Sequence, residues 1–141
     1  METLLKKKRP YLIDFKRIGE MTTGYISVAE IEKEIPFDIK RVFWTYFTPE
    51  SIQRGTHAHH QTEQVLIAVA GIIRVETELP NGTKDTFLLD TPNKGVYIPP
   101  YAWHDMYYSH NAVQLVLAST QFKVTDYIRD YEYFKTLKDH A

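Results

Sequence analysis

The alternation of apolar and polar residues along the chain reads as a series of short strands separated by turn signals, the signature of an all-β sandwich or barrel. Tyr11 to Ile18 and Gly24 to Ala29 form early strands around a turn. Ile35-Pro36-Phe37 breaks the chain ahead of a strong strand from Lys40 to Phe47. His57 to His59 opens another, and after the polar interruption His60 to Thr62 the apolar run Gln64 to Val69 reads as a buried strand. Ile73, Val75, Thr77 and Leu79 then alternate with Arg74, Glu76 and Glu78, a half-exposed strand of period two. Pro80-Asn81-Gly82-Thr83 predicts a type I′ hairpin to a return strand at Asp85 to Leu89. Val96 to Ile98 and Ala112 to Ser119 complete the set.

The tail changes period. Val124, Ile128, Tyr131, Phe134 and Leu137 recur at three- and four-residue spacing, which predicts an amphipathic C-terminal helix. Thr125 would cap it, with Asp126 in its first turn and Lys135 and Lys138 near its end. No repeat or linker interrupts the pattern, so the expectation is one domain over residues 1–141.

Composition narrows the function. The net charge of −1 leaves no electrostatic footprint for nucleic acid, and the basic cluster from Lys6 to Arg9 is too short to make one. No apolar stretch approaches the ~20 residues that span a bilayer, and no signal peptide is visible. The absence of cysteine removes disulfides and thiolate chemistry. A cytoplasmic location is the default expectation. Ten tyrosines suit a ligand cavity or an interface as well as a core.

The chemistry concentrates at Arg54-Gly55-Thr56-His57-Ala58-His59-His60, with Glu63 following and Trp103-His104 far downstream. On a strand, His57 and His59 share a face, and His60 would point away. Imidazole both transfers protons near neutral pH and ligates metals, and the spacing leaves two uses open. His57, His59, Glu63 and His104 have the order of the two cupin metal motifs, a workable transition-metal set. Alternatively the histidines move protons. Arg54, and Arg41 on the Lys40–Phe47 strand, then provide planar cations for phosphate oxygens. Trp103, which flanks His104, is a candidate platform for the ligand. His110 reads as a surface loop residue and His140 as an inert terminus.

Taken in order, these blocks resemble the cupin-type dTDP-sugar 3,4-ketoisomerases. The resemblance covers Ile35 to Val42, the RGTHAHH run, Glu63 to Leu66, Gly95 to Ile98 with Pro100, Trp103 to Met106, Leu115 to Ser119 and Thr125 to Arg129. It implies a cupin jelly-roll barrel with a C-terminal helix and a homodimer with exchanged N-terminal strands. It also implies dTDP-4-keto-6-deoxy-D-glucose as substrate and a 3-keto isomer as product, with no cofactor or metal. His57 and His59 would carry the proton transfers. Arg41, Arg54, Glu63, Tyr97, Trp103 and His104 would contact the substrate. His104 is the residue type that accompanies galacto products in this family, whereas Thr23, before Gly24, departs from the usual Arg or Tyr. A metal-dependent cupin enzyme and a non-catalytic sugar sensor are the rival expectations.

Overall fold

Two five-stranded antiparallel sheets face each other in the computed structural model, which describes residues 7–138. In chain order the strands are β1 (Tyr11–Asp14), β2 (Arg17–Glu20), β3 (Gly24–Ser27), β4 (Arg41–Tyr46), β5 (Gln53–His59), β6 (Gln64–Ala70), β7 (Ile73–Glu78), β8 (Lys84–Leu89), β9 (Lys94–Ile98), β10 (Trp103–Tyr108), β11 (Val113–Ala118) and β12 (Tyr127–Ile128). One sheet has the order β1-β9-β6-β11-β4 and the other β12-β5-β10-β7-β8, while β2 and β3 form a separate hairpin. The jelly-roll expectation is met.

Strand alternation sorts the core. Leu66, Ala68, Val75, Val96, Ile98, Met106 and Val116 point between the sheets and form the main cluster. Their sequence neighbours Val65, Ile67, Tyr97 and Leu117 point out of the first sheet, where Ile13, Phe15, Ile35 and Phe37 cover them. A third cluster joins Ala58, Trp103, Ile128, Phe134 and Leu137.

Several boundaries differ from the sequence pattern. The strand expected over Tyr11–Ile18 breaks at Phe15, whose buried side chain covers Gly95 and whose N–H bonds Asn93 O at 2.8 Å. Trp103–Tyr108 is a strand that the pattern did not announce, because both of its faces carry large side chains. The hairpin at Asn81-Gly82 forms, but only Gly82 has positive φ (+93°). With Gly82 N–H bonding Leu79 O and Leu79 N–H bonding Thr83 O, it is a type I turn closed by a glycine bulge rather than a type I′ turn.

The C-terminal helix is the largest correction. Only Tyr131–Lys135 is α-helical (α1), and it is capped by Asp130, which accepts from the N–H groups of Glu132 and Tyr133. Val124–Asp126 is a single 3₁₀ turn, and Tyr127–Ile128 adds to the sheet through His59 and Ala58. Thr125 therefore caps no helix. The buried Asp126 carboxylate instead accepts from Gln61 N–H at 2.7 Å, from Thr62 N–H at 3.3 Å and from the Thr62 hydroxyl. An edge strand with paired backbone and a bonded carboxylate outcompetes a helix that would leave β5 unpaired. His140 and, of the basic cluster Lys6 to Arg9, Lys6 lie outside the described residues. Among the described residues no helix is long and apolar enough to cross a membrane.

Candidate active site

The histidines meet through a distortion of β5. Opposite His57 sits His104, and the register slips by one residue before Gly55 pairs with Asp105. Gly55 (φ +89°) and Thr56 (φ +60°) absorb that slip. A Cβ on Gly55 would lie 2.6 Å from His104 O, so only glycine lets the two strands close here. Thr56 is β-branched and left-handed, a strained conformation that the surrounding ladder holds. The bulge turns His57 onto His59 and His104, with ring centres 4.9 and 4.7 Å away.

Side-chain nitrogens of His57, His59 and His104 lie within 4.8 Å of one another. His57 Nδ1 is 3.0 Å from Gly55 O, and His104 Nδ1 is 3.0 Å from Ala102 O. A carbonyl accepts only, so both Nδ1 atoms carry the proton and both Nε2 atoms keep a lone pair. His59 Nε2 is buried with no partner. Burial, then the neighbouring His104, lowers His57 to about 3. Burial and the surrounding His104, His57, Arg41 and Arg129 lower His59 to about 2. Burial also lowers His104. All three are neutral bases at physiological pH.

His57 and His104 line one end of a cavity of about 240 Å³ that lies between the facing sheets, and His59 packs against both rings. Its other walls are Phe43 and Thr45 of β4, Arg54 of β5, Met106 and Tyr108 of β10, and Gln114 and Val116 of β11. Tyr127 and Arg129 close it from the β12 side, with the Tyr127 ring 5.0 Å from His57 and 4.7 Å from His59. The Arg129 guanidinium lies over the Tyr127 ring, 4.4 Å from its centre. Arg41 lies over Phe43, one wall of the cavity, and over Phe122, and its Nε is buried without a partner.

Of the residues expected from the sequence, His57, His59, His104 and Arg54 come together, with Arg41 alongside. Glu63, Tyr97 and Trp103 do not. The Tyr97 hydroxyl donates to Glu63 at 2.6 Å, and Lys7 pairs with the same carboxylate at 2.8 Å. Tyr97 is wholly buried against Tyr11 and Phe37, on the outer side of the first sheet. Trp103 packs on Tyr131 and Phe134. One cause explains the last two: each neighbours an inward residue (Val96 and Ile98, or His104) and so faces outward. His60 leaves the cluster as expected, against Tyr101.

The same geometry tests the metal set that the cupin motifs imply. Without Glu63 the four-residue set is incomplete, and three imidazoles remain as the sole cluster of three or more metal-binding side chains among the described residues. Sequence reasoning passed over Tyr108, Gln114, Gln64, Tyr127 and Arg129. The signal for Gln114 was present, as a polar residue in the apolar run Val113–Ala118. Tyr127 and Arg129 were hidden by helical periodicity.

The chain matches the family described as FdtA: WxcM-like, C-terminal, over residues 8–139. It is 40% identical over 125 residues, 88% of each chain, to the TDP-4-oxo-6-deoxy-alpha-D-glucose-3,4-oxoisomerase of Aneurinibacillus thermoaerophilus. The fold matches the sugar 3,4-ketoisomerase QdtA of Thermoanaerobacterium thermosaccharolyticum, solved with TDP (TM-score 0.86, 35% identity, 93% of this chain and 95% of that one). It likewise matches the TDP-fucose-3,4-ketoisomerase WlaRA of Campylobacter jejuni (TM-score 0.85, 32% identity, 93% and 96%). With the histidine cavity between its sheets and this similarity along nearly its whole length, the chain belongs to the cupin-type FdtA family of sugar-nucleotide 3,4-ketoisomerases.

Proposed function

We propose that the protein converts dTDP-4-keto-6-deoxy-D-glucose into the 3-keto isomer of galacto configuration, by metal-free proton transfer through an enediol. The observation that carries this reading is the convergence of three neutral imidazoles at the end of a cavity bordered by arginines. The C4 ketone acidifies the C3 proton, and His57 Nε2 removes it. The enediol is then protonated at C4 from the same imidazole, while His59 passes the O3 proton to O4. Atoms and charge balance without an external oxidant or cofactor. Arg54 and Arg41, joined by Arg129, hold the pyrophosphate, since guanidinium binds phosphate oxygens in pairs. His104 walls the sugar beside His57 and selects the face on which C4 is protonated. Glu63, Tyr97 and Trp103 support the site's walls and do not touch substrate.

Incubation with dTDP-4-keto-6-deoxyglucose in D₂O, followed by NMR, tests the reaction. The expected product has its ketone at C3, an axial C4 hydroxyl, and deuterium at C4 to the extent that the proton on His57 exchanges with solvent before its return. An unchanged substrate spectrum would remove the isomerase reading, and an equatorial C4 hydroxyl would remove the galacto assignment. Activity is expected to survive exhaustive chelation. Stoichiometric iron, nickel or manganese whose removal abolishes turnover would overturn the metal-free step.

A homodimer with exchanged N-terminal strands accounts for apolar surface on the β2–β3 side. Ile18, Met21 and Ile26 of this hairpin are exposed, as are Val42 and Trp44 on the outer face of β4. A second cavity of about 620 Å³ separates the hairpin from Ile67, Leu115 and Leu117 on the outer sheet face. Such surface is unusual for a monomer. Sedimentation equilibrium is expected to give about twice the 16.5 kDa chain mass. A mass of one chain would reject the exchange.

A further inference from the structure

The end of the cavity away from the histidines holds a polar pair that proton transfer leaves unused. The Tyr108 hydroxyl donates to Gln114 Oε1, bridging β10 of one sheet to β11 of the other. Both side chains are buried, at 4% and 1% exposure, and both line the cavity. Burial holds Tyr108 well above the usual phenol range, so its hydroxyl stays a donor at any working pH. A primary amide has one acceptor oxygen and two N–H donors. With the oxygen taken by Tyr108, the orientation of the amide is fixed and its Nε2 is the end left for a ligand. That hydrogen bond is the sole one of the Gln114 side chain among the described residues.

The surroundings identify what this amide meets. Phe43, Met106 and Val116 are the apolar residues of the same cavity, a fitting contact for a deoxy carbon. The cations Arg54 and Arg129 also line the cavity, and they attract the diphosphate. An amide donor with no charge beside apolar walls suits a neutral sugar oxygen better than a phosphate. On the ketoisomerase reading above, we propose that Gln114 is a specificity-determining residue that donates Nε2–H to an oxygen of the hexose. Tyr108 is the positioning residue that keeps the amide in that orientation.

A buried donor with a ligand acceptor discriminates strongly, because removing either side leaves the other unpaired. The rival role is a structural strut between sheets. Steady-state kinetics on Gln114→Met and Tyr108→Phe, with TDP as a competitive inhibitor, separate the two. Gln114→Met conserves volume and is expected to fold. KM for dTDP-4-keto-6-deoxyglucose should rise about tenfold in Gln114→Met. It should rise less in Tyr108→Phe, which keeps the donors but frees the amide to turn. The TDP inhibition constant should stay within about twofold in both.

A fall in melting temperature with KM unchanged in both variants would make the pair a strut and overturn the proposal. A parallel rise in KM and in the TDP inhibition constant would place the contact on the nucleotide and also overturn it. Wild-type protein that binds TDP yet leaves the sugar nucleotide unchanged would instead reject the ketoisomerase reading, a result visible before any variant is made.

Discussion

His57→Asn is expected to lose most turnover of dTDP-4-keto-6-deoxyglucose, by a factor of about 10²–10⁴, while binding TDP as before. The range is that of a single positioned general base. Three features single out His57. Its Nδ1–H is held by Gly55 O, so Nε2 presents the lone pair. It lines the cavity directly. Its ring lies within 5.0 Å of three others, those of His59, His104 and Tyr127. Asparagine can reproduce the hydrogen bond to Gly55 O but has no group basic enough to take a carbon-bound proton. Nucleotide binding rests on the arginines, so it should survive. His59→Asn should also reduce turnover, since His59 Nε2 is buried in the cluster with no hydrogen-bond partner of its own. Calorimetric titration with TDP beside single-turnover kinetics checks both. Loss of TDP binding in His57→Asn would make the imidazole a ligand contact and not a proton carrier.

Acidification below about pH 6 is expected to unfold the protein steeply, before the buried histidines take up protons in the native state. His57 ionises near 6.5 when unfolded and near 3 when folded. Between those values the unfolded chain binds the proton and the folded chain does not. Stability is therefore full above about 6.5 and falls as pH drops towards 3, because a depressed base pulls the equilibrium towards the protonated, unfolded chain. At roughly 1.4 kcal/mol per unit of pKa, the full effect of His57 alone is on the order of 5 kcal/mol. That is comparable to the roughly 5–15 kcal/mol that holds a domain folded, and His59 and His104 act in the same direction. Urea midpoints measured from pH 8 to pH 4.5 should fall throughout that interval below about 6.5. His59→Asn should flatten the slope. A midpoint independent of pH in wild-type protein would show that the three imidazoles accept protons without cost in the folded state. Enzymatic rate should follow the same curve, with its acid limb set by unfolding rather than by titration of the base.

Strand content was legible because the inward and outward faces of each strand differ in polarity. Ile73–Glu78 alternates visibly, and its strand lies where that alternation predicts. The rule that placed His57 and His59 on one face was also sufficient to turn Trp103 away from His104 and Tyr97 away from Val96. Adjacency in sequence suggested a shared pocket for these residues, whereas strand geometry forbids it. The C-terminal segment failed for a different reason. Spacing of three or four residues fits a helix, but Ile128 reaches its buried position from a two-residue strand and Phe134 from the short helix α1. Local periodicity could not record that an unpaired edge of β5 waited for Tyr127 and Ile128.

By itself the sequence determined the all-β architecture, the two histidines on one strand face and the family, since these follow from period, spacing and the order of local blocks. Only the tertiary structure decided which residues share the cavity. The bulge at Gly55-Thr56 brings His104 onto His57, the edge pairing of β12 delivers Tyr127 and Arg129, and the facing of two sheets joins Tyr108 to Gln114. Each depends on contacts between segments distant along the chain, and those contacts, not local propensity, gather the three imidazoles and leave Glu63 outside their cluster.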